Sequence, residues 1–293
     1  MPGLLQALLV VGLGAFWGVS PALNKVLGWA GLPVSHILAF SGAGVGVGLI
    51  VLQRALGGKL RLGRREALYG LGCGILLNVP WGIGLLAVRH VPVTLYSVVV
   101  SSTPMWTYGL ALLVGRERMS LMRVSALAVG FASSLAVILT RQGASISQID
   151  SWLLAAMSLP LMYAFYNVYT SAAWPKGMEP LTAGIVESFA SSLLAVPVVL
   201  WLDPVHSLSD FHRGYWLLAA AIAMWVLERV CFFSMIQRFG PVTTVQAVYV
   251  STPAGVLFGL ALFAEKADSW LWVSLALVML ALWLNNRAIA KAR

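Results

Sequence analysis

The sequence predicts an all-α integral membrane protein, ten transmembrane helices arranged as two inverted five-helix repeats, and three observations predict it. The chain is 60% hydrophobic and 10% charged over 293 residues, with a mean hydropathy of +0.87; soluble domains carry roughly a quarter charged residues. Its apolar stretches reach the roughly 20 residues that one hydrocarbon core requires. One stretch also occurs twice: PVTLYSVVVSSTPMWTYGLALLVGRE from Pro92 to Glu117 returns as PVTTVQAVYVSTPAGVLFGLALFAEK from Pro241. Pro92-Val93-Thr94 matches Pro241-Val242-Thr243, and Ser102-Thr103-Pro104 matches Ser251-Thr252-Pro253. Prolines and threonines in register mark an internal repeat, since chance apolar similarity would share only Leu and Val.

The spans fall near 4–24, 33–53, 67–88, 92–114, 121–140, 152–173, 180–201, 214–236, 241–263 and 270–287. Strands of a membrane barrel would be about ten residues long with alternating polarity. These are longer and uniformly apolar, and in lipid the backbone must satisfy its own hydrogen bonds, so they are helices. A net charge of +9 would suggest nucleic acid in a soluble protein; here the basic residues sit in loops. Arg54, Lys59, Arg61, Arg64 and Arg65 crowd the second loop, Arg116, Arg118 and Arg123 the fourth, and Arg287, Lys291 and Arg293 end the chain. The positive-inside rule places both termini in the cytoplasm of a multi-pass protein of the plasma membrane, expected to be the inner membrane of a bacterium. No nucleic-acid partner is expected. The first span lacks a basic leader and a small-residue cleavage site and reads as retained. Cys73 and Cys231 stand alone, so neither a metal pair nor a redox motif is expected.

Span one carries Trp17 and Pro21, the proline removing one helix hydrogen bond and offering a hinge. Span two holds Gly42, Gly44, Gly46 and Gly48, whose four-residue spacing favours close helix packing; His36, near its start, is expected to be solvated. Span three offers Asn78 and Trp81 on one face beside Pro80. Span four is interrupted by Ser101, Ser102, Thr103 and Pro104, hydroxyls that face either their own helix or a wet cavity. Span five is peripheral. The loop near Arg141–Ser151 joins the halves, giving 1–145 and 146–293 as the two five-helix repeats.

In the second half, span six presents Tyr163, Tyr166, Asn167 and Thr170 along one face, after Pro160. Span seven contains Glu187, and span eight Glu228 and Arg229 near mid-membrane. Charges at that depth cost at least about 2.5–3.5 kcal/mol each on insertion scales, so they require partners or a purpose. Sequence neighbours on a helix point about 100° apart, so the expectation is that Arg229 pairs with Glu187 and leaves Glu228 facing the cavity, or the reverse. Span nine gives Gln246, Tyr249 and Pro253. Span ten matches span five in lacking mid-span polar groups, and these two are the candidate contact surface with lipid or another subunit. A unit of five helices repeated once must lie upside down relative to its copy, the plan of transporters with a site between the halves.

The residues resemble the ten-helix EamA-like branch of the drug/metabolite transporter superfamily. The likeness lies in Trp17-Gly18-x-x-Pro21-x-x-x-Lys25, in Pro33 and Pro180 opening the second helix of each half, in Arg89 and Arg238 ending the third, and in the paired prolines followed by Glu117 or Glu265. The resemblance implies transport of small metabolites, often export of amino acids or their derivatives, by alternating access. Seven residues after the opening proline such proteins often carry arginine, where this chain has Phe40 and Glu187; Arg229 would supply the positive charge instead.

The expected function is export of amino acids or related compounds, the alternative export of cationic or drug-like compounds, and the remote alternative a non-transporting scaffold. The substrate-binding candidates are Trp17, Asn78, Trp81, Ser101, Tyr163, Tyr166, Asn167, Glu187, Glu228, Arg229, Gln246 and Tyr249, with Pro21, Pro80, Pro104, Pro160 and Pro253 as hinges. No enzyme motif is present: there is no H-E-x-x-H and no G-x-S-x-G among these residues. No metal or cofactor is expected; a buried glutamate that takes up a proton would couple export to the proton gradient.

Overall fold

A computed structural model describes residues 2–60, 62–122, 151–203, 213–266 and 269–292, with a few isolated positions between 124 and 132. The described residues form helices and no strands. These are α1 (Pro2–Trp29), α2 (Val34–Ala55), α3 (Arg64–His90), α4 (Val93–Val100), α5 (Thr103–Leu113), α6 (Ser151–Ala172), α7 (Pro180–Leu202), α8 (Arg213–Thr244), α9 (Ala247–Phe263) and α10 (Ser269–Ala292). Among them α1, α2, α3, α7 and α8 are long and apolar enough to cross a membrane. Most of the expected fifth span and of the joint at 141–151 lies outside the described residues.

Local sequence explains the breaks. The fourth span is interrupted at Ser101–Ser102, where the Ser101, Ser102 and Thr103 hydroxyls each donate to a carbonyl three residues earlier. Pro104 then occupies the first turn of α5, where the absent N–H costs nothing. In the second half the break is displaced. Gly240 takes φ 76°, a left-handed backbone only glycine adopts cheaply, and α9 starts after a turn at Val245–Gln246. Consequently α9 runs unbroken through Ser251-Thr252-Pro253.

Lipid tails are as apolar as leucine, so helices associate in membranes through close packing and polar contacts. Glycines supply the closeness here. A side chain at Gly42 would meet the Ser188 carbonyl and the Ser192 amide at 2.7 Å, while Gly46 lies under the Phe189 ring. Gly44 and Gly48 instead accommodate Ile222 and Val226 of α8, so the two glycine pairs of α2 serve different partners. On the other side of α7, Gly70 and Gly74 of α3 fit against the backbone of Val186 and Ser191. Gly14 and Gly18 of α1 abut Val250 and Ala254 of α9.

The pairings are reciprocal. The second helices of the two halves, α2 and α7, pack together. The first of one half lies on the fourth of the other: α1 on α9, and α6 on α4 and α5. The third helices reach across likewise, α3 to α6 and α7, α8 to α1 and α2.

At one end of the bundle Tyr69 donates to the Thr170 carbonyl, and Gln53 to Thr182. At the other, Lys25 Nζ lies 3.2 Å from Glu265 Oε1 and above the Phe263 ring, while Glu265 accepts the amides of Val93 and Thr94 at the start of α4. His36, expected to be solvated, is buried there. One ring nitrogen meets the Tyr215 hydroxyl and the other the Asp203 carbonyl, both at 2.5 Å, because α7 and α8 converge over the start of α2. Cys73 and Cys231 are free thiols.

Candidate functional site

A cavity of about 170 Å³ lies among α1 to α9, with Thr103 the contribution of α5 and Val248 that of α9. The helical face Trp225, Glu228, Arg229 and Phe232 puts α8 along one wall, and Glu187, Ser188 and Ser191 put α7 beside it. Along the α8 axis Trp225 and Phe232 fall on opposite sides of the charged pair. Trp225 meets Trp81 edge-on at 5.2 Å, and Phe232 stacks on Tyr166 at 5.4 Å with Trp17 tilted against it at 6.2 Å. Aromatic pairs therefore bound the charges on both sides.

The charges are arranged differently from the one-to-one pairing expected. Arg229 Nε reaches Glu187 Oε2 at 3.2 Å, and its Nη1 reaches Glu228 Oε2 at 2.9 Å. The 100° between neighbouring residues does not prevent the second contact, because the guanidinium sits at the end of a long stem and its fork points donors in two directions. Both glutamates are buried, Glu187 1% and Glu228 4% exposed, which fits a bridged set and not an isolated charge. One guanidinium against two carboxylates leaves one negative charge over. Among the described residues Arg229 Nη2 is neither bonded nor sealed, whereas Glu187 Oε1, the Tyr166 hydroxyl, Ser191 Oγ and Asn24 Oδ1 are buried without partners. Buried oxygens without partners are costly.

Of the sequence candidates, Trp17, Trp81, Tyr163, Tyr166, Asn167, Glu187, Glu228 and Arg229 line the cavity, as does Pro21. Asn78, Ser101, Gln246 and Tyr249 lie behind it. Asn78 donates to the Ser191 carbonyl at 2.8 Å, tying α3 to α7, and Ser101 closes the break after α4. Gln246 directly precedes α9 and makes no side-chain capping bond, and Tyr249 is buried one turn further on. Pro80, Pro160 and Pro253 sit inside continuous helices. Asn24, Ser188, Ser191, Trp225 and Phe232 line the cavity without having been singled out. Helical spacing from Glu187 and Glu228 would have found Ser191, Trp225 and Phe232.

Residues 150–287 match the EamA-like transporter family. The second half of the chain is similar to an EamA-like transporter domain. This segment contributes Tyr163, Tyr166, Glu187, Glu228 and Arg229 to the cavity. A protein of known crystal structure is similar over 98% of this chain and 99% of its own, with a TM-score of 0.74 at 14% identity, which shows a shared fold. No curated protein sequence matches. The EamA-like domain alone does not complete the cavity, since Trp17, Pro21 and Trp81 come from the first half.

Proposed function

We propose that the chain exports a small metabolite carrying an ammonium group, an amino acid or related compound, by alternating access through this cavity. The observation that carries the reading is the Glu187–Arg229–Glu228 set, one negative charge in excess with one guanidinium nitrogen, Nη2, still free. A zwitterion complements both features, its ammonium against a glutamate and its carboxylate against the open arm of Arg229. The reciprocal helix pairing supports two inverted five-helix halves, since exchanging the halves carries the α2–α7, α1–α8 and α2–α8 pairings onto α7–α2, α6–α3 and α7–α3. The basic loops support a bacterial inner membrane with both termini cytoplasmic.

The test is uptake of radiolabelled amino acids into proteoliposomes holding the purified protein. Saturable flux that unlabelled substrate competes supports the reading; no flux with any amino acid overturns it. A second reading, export of cationic or drug-like compounds, is favoured by the excess negative charge between aromatic pairs. Arg229→Lys separates the two, because lysine keeps the charge that holds the glutamates but loses the fork. Amino-acid flux falls in that variant under the first reading, and cation flux persists under the second.

A further inference from the structure

The set of bonds at the cavity wall leaves an incoming ammonium nowhere to land. Glu187 Oε2 is engaged by Arg229 Nε at 3.2 Å and by the Ser188 hydroxyl at 3.3 Å. Glu187 Oε1 has no partner but is sealed from the cavity. Glu228 Oε2 holds Arg229 Nη1 at 2.9 Å. The one remaining carboxylate oxygen, Glu228 Oε1, accepts the indole N–H of Trp17 at 2.8 Å.

We propose that Glu228 Oε1 is the ammonium subsite and that the Trp17 indole N–H stands in for the substrate there, so that a cationic group binds by displacing Trp17. This rests on the reading of the cavity as the site of an ammonium-bearing substrate. Trp17 is the replaceable member of the set for three reasons. Among the described residues it is the only neutral donor on Glu228, and exchanging it for an ammonium cancels the excess negative charge, which a neutral N–H cannot do. Its bond is the one that joins the charged set to α1, the others lying on α7 and α8. The helix ladder is also already open at this residue, since Pro21, four residues on, has no N–H to give the Trp17 carbonyl. A ligand with a carboxylate and no ammonium gains nothing by moving the indole and meets Arg229 Nη2 instead. Trp17 is thus a specificity-determining residue, and its release transmits the presence of a cationic group to α1, which packs along α9 through Gly14 and Gly18.

Phenethylamine and 3-phenylpropanoate share an aryl-ethyl frame and differ in charge, which makes them the probes. Trp17→Phe keeps a ring against Phe232 and removes the N–H, so the amine no longer competes with it. A hydrogen bond to a charged group has a strength that corresponds to about tenfold or more in affinity. The expected result is a Kd for phenethylamine lowered about tenfold, with that for phenylpropanoate unchanged. Trp17→Met deletes the same donor and serves if the Phe variant does not fold. In the unaltered protein, phenethylamine is expected to raise hydrogen exchange of the backbone amides around Trp17–Lys25, and phenylpropanoate is not. An amine affinity that stays at the unaltered level in a folded donor-less variant, or exchange in α1 that amine leaves unchanged, overturns the displacement while leaving the cavity reading intact. Failure of the unaltered protein to bind any amine or amino acid overturns the cavity reading and the displacement together.

Discussion

Lys25 and Glu265 meet across 240 residues of sequence, Nζ to Oε1 at 3.2 Å. The same carboxylate accepts the Val93 and Thr94 amides at 2.8 and 2.9 Å, so one side chain joins α1, the start of α4 and the end of α9. Burial alone would raise the Glu265 pKa, but the amides of Thr94 and Val93 and the Lys25 ammonium outweigh it and hold the carboxyl below its ordinary value of 4.5.

A depressed folded-state pKa gives stability that is present above the ordinary carboxylate pKa and lost as pH falls through the folded value. Glu265→Gln is therefore expected to lower the thermal midpoint at pH 7, by an amount equivalent to about 1–2 kcal/mol for lost charge-assisted hydrogen bonds. The gap between variant and unaltered protein should narrow as pH drops below about 4. Melting curves in detergent between pH 3 and 8 check this; a gap that stays constant with pH rules the ionised cap out.

Arg229 holds two buried carboxylates, so Arg229→Gln leaves both uncompensated. The expected cost is about 3–5 kcal/mol. Adding Glu187→Gln to that variant restores the single excess negative charge of the unaltered protein and is expected to recover part of the loss. Chemical-denaturation midpoints of the two single variants and the double variant measure the coupling; strict additivity would show that the pair does not interact.

Gly42 and Gly12 make a matched contrast. An added methyl at Gly42 would run into the Ser188 carbonyl and Ser192 amide, backbone atoms that cannot turn aside, whereas nothing lies within 4 Å of one at Gly12. Gly42→Ala is expected to destabilise by about 1–3 kcal/mol, and Gly12→Ala to be neutral or stabilising by about 0.5–1 kcal/mol through helix propensity. Thermal midpoints of the two variants decide it.

Asn78 lies behind the cavity and ties α3 to α7. Asn78→Leu removes its bond to the Ser191 carbonyl, and a loss of about 1 kcal/mol in stability is expected. Substrate Kd, measured on the same preparation, should change little, since Asn78 does not line the cavity. A large rise in Kd at unchanged stability would place Asn78 in the binding site.

Much of the arrangement was legible before any coordinates. Span length, the repeated proline and threonine positions and the polar stripe Tyr163–Asn167 each follow from periodicity that lipid imposes on a helix. The cost of mid-membrane charge singled out Glu187, Glu228 and Arg229. What stayed hidden depends on which neighbour a face meets. Gly42 and Gly44 look alike in sequence, yet one fits α7 and the other α8. Glu265 read as a repeat marker, because nothing local shows that it caps a helix begun 172 residues earlier. His36 looked solvated because its partners, Tyr215 and the Asp203 carbonyl, come from the far half of the chain. Arg229 reaching both glutamates depends on side-chain length, which helical angles alone do not include.

The grip on α7 has a mechanical meaning. Glycine faces from α2 and α3 clamp its backbone on two sides, leaving no slack between Gly42 and Ser188 or between Gly70 and Val186. Glu187 therefore behaves as a fixed post. Glu228 and Arg229 stand on α8, which meets Gly44 and Gly48 of α2 through the side chains of Ile222 and Val226 and not through backbone. A change in the cavity's shape that spares α7 would therefore be read in the 3.2 Å gap between the Glu187 carboxylate and the Arg229 guanidinium.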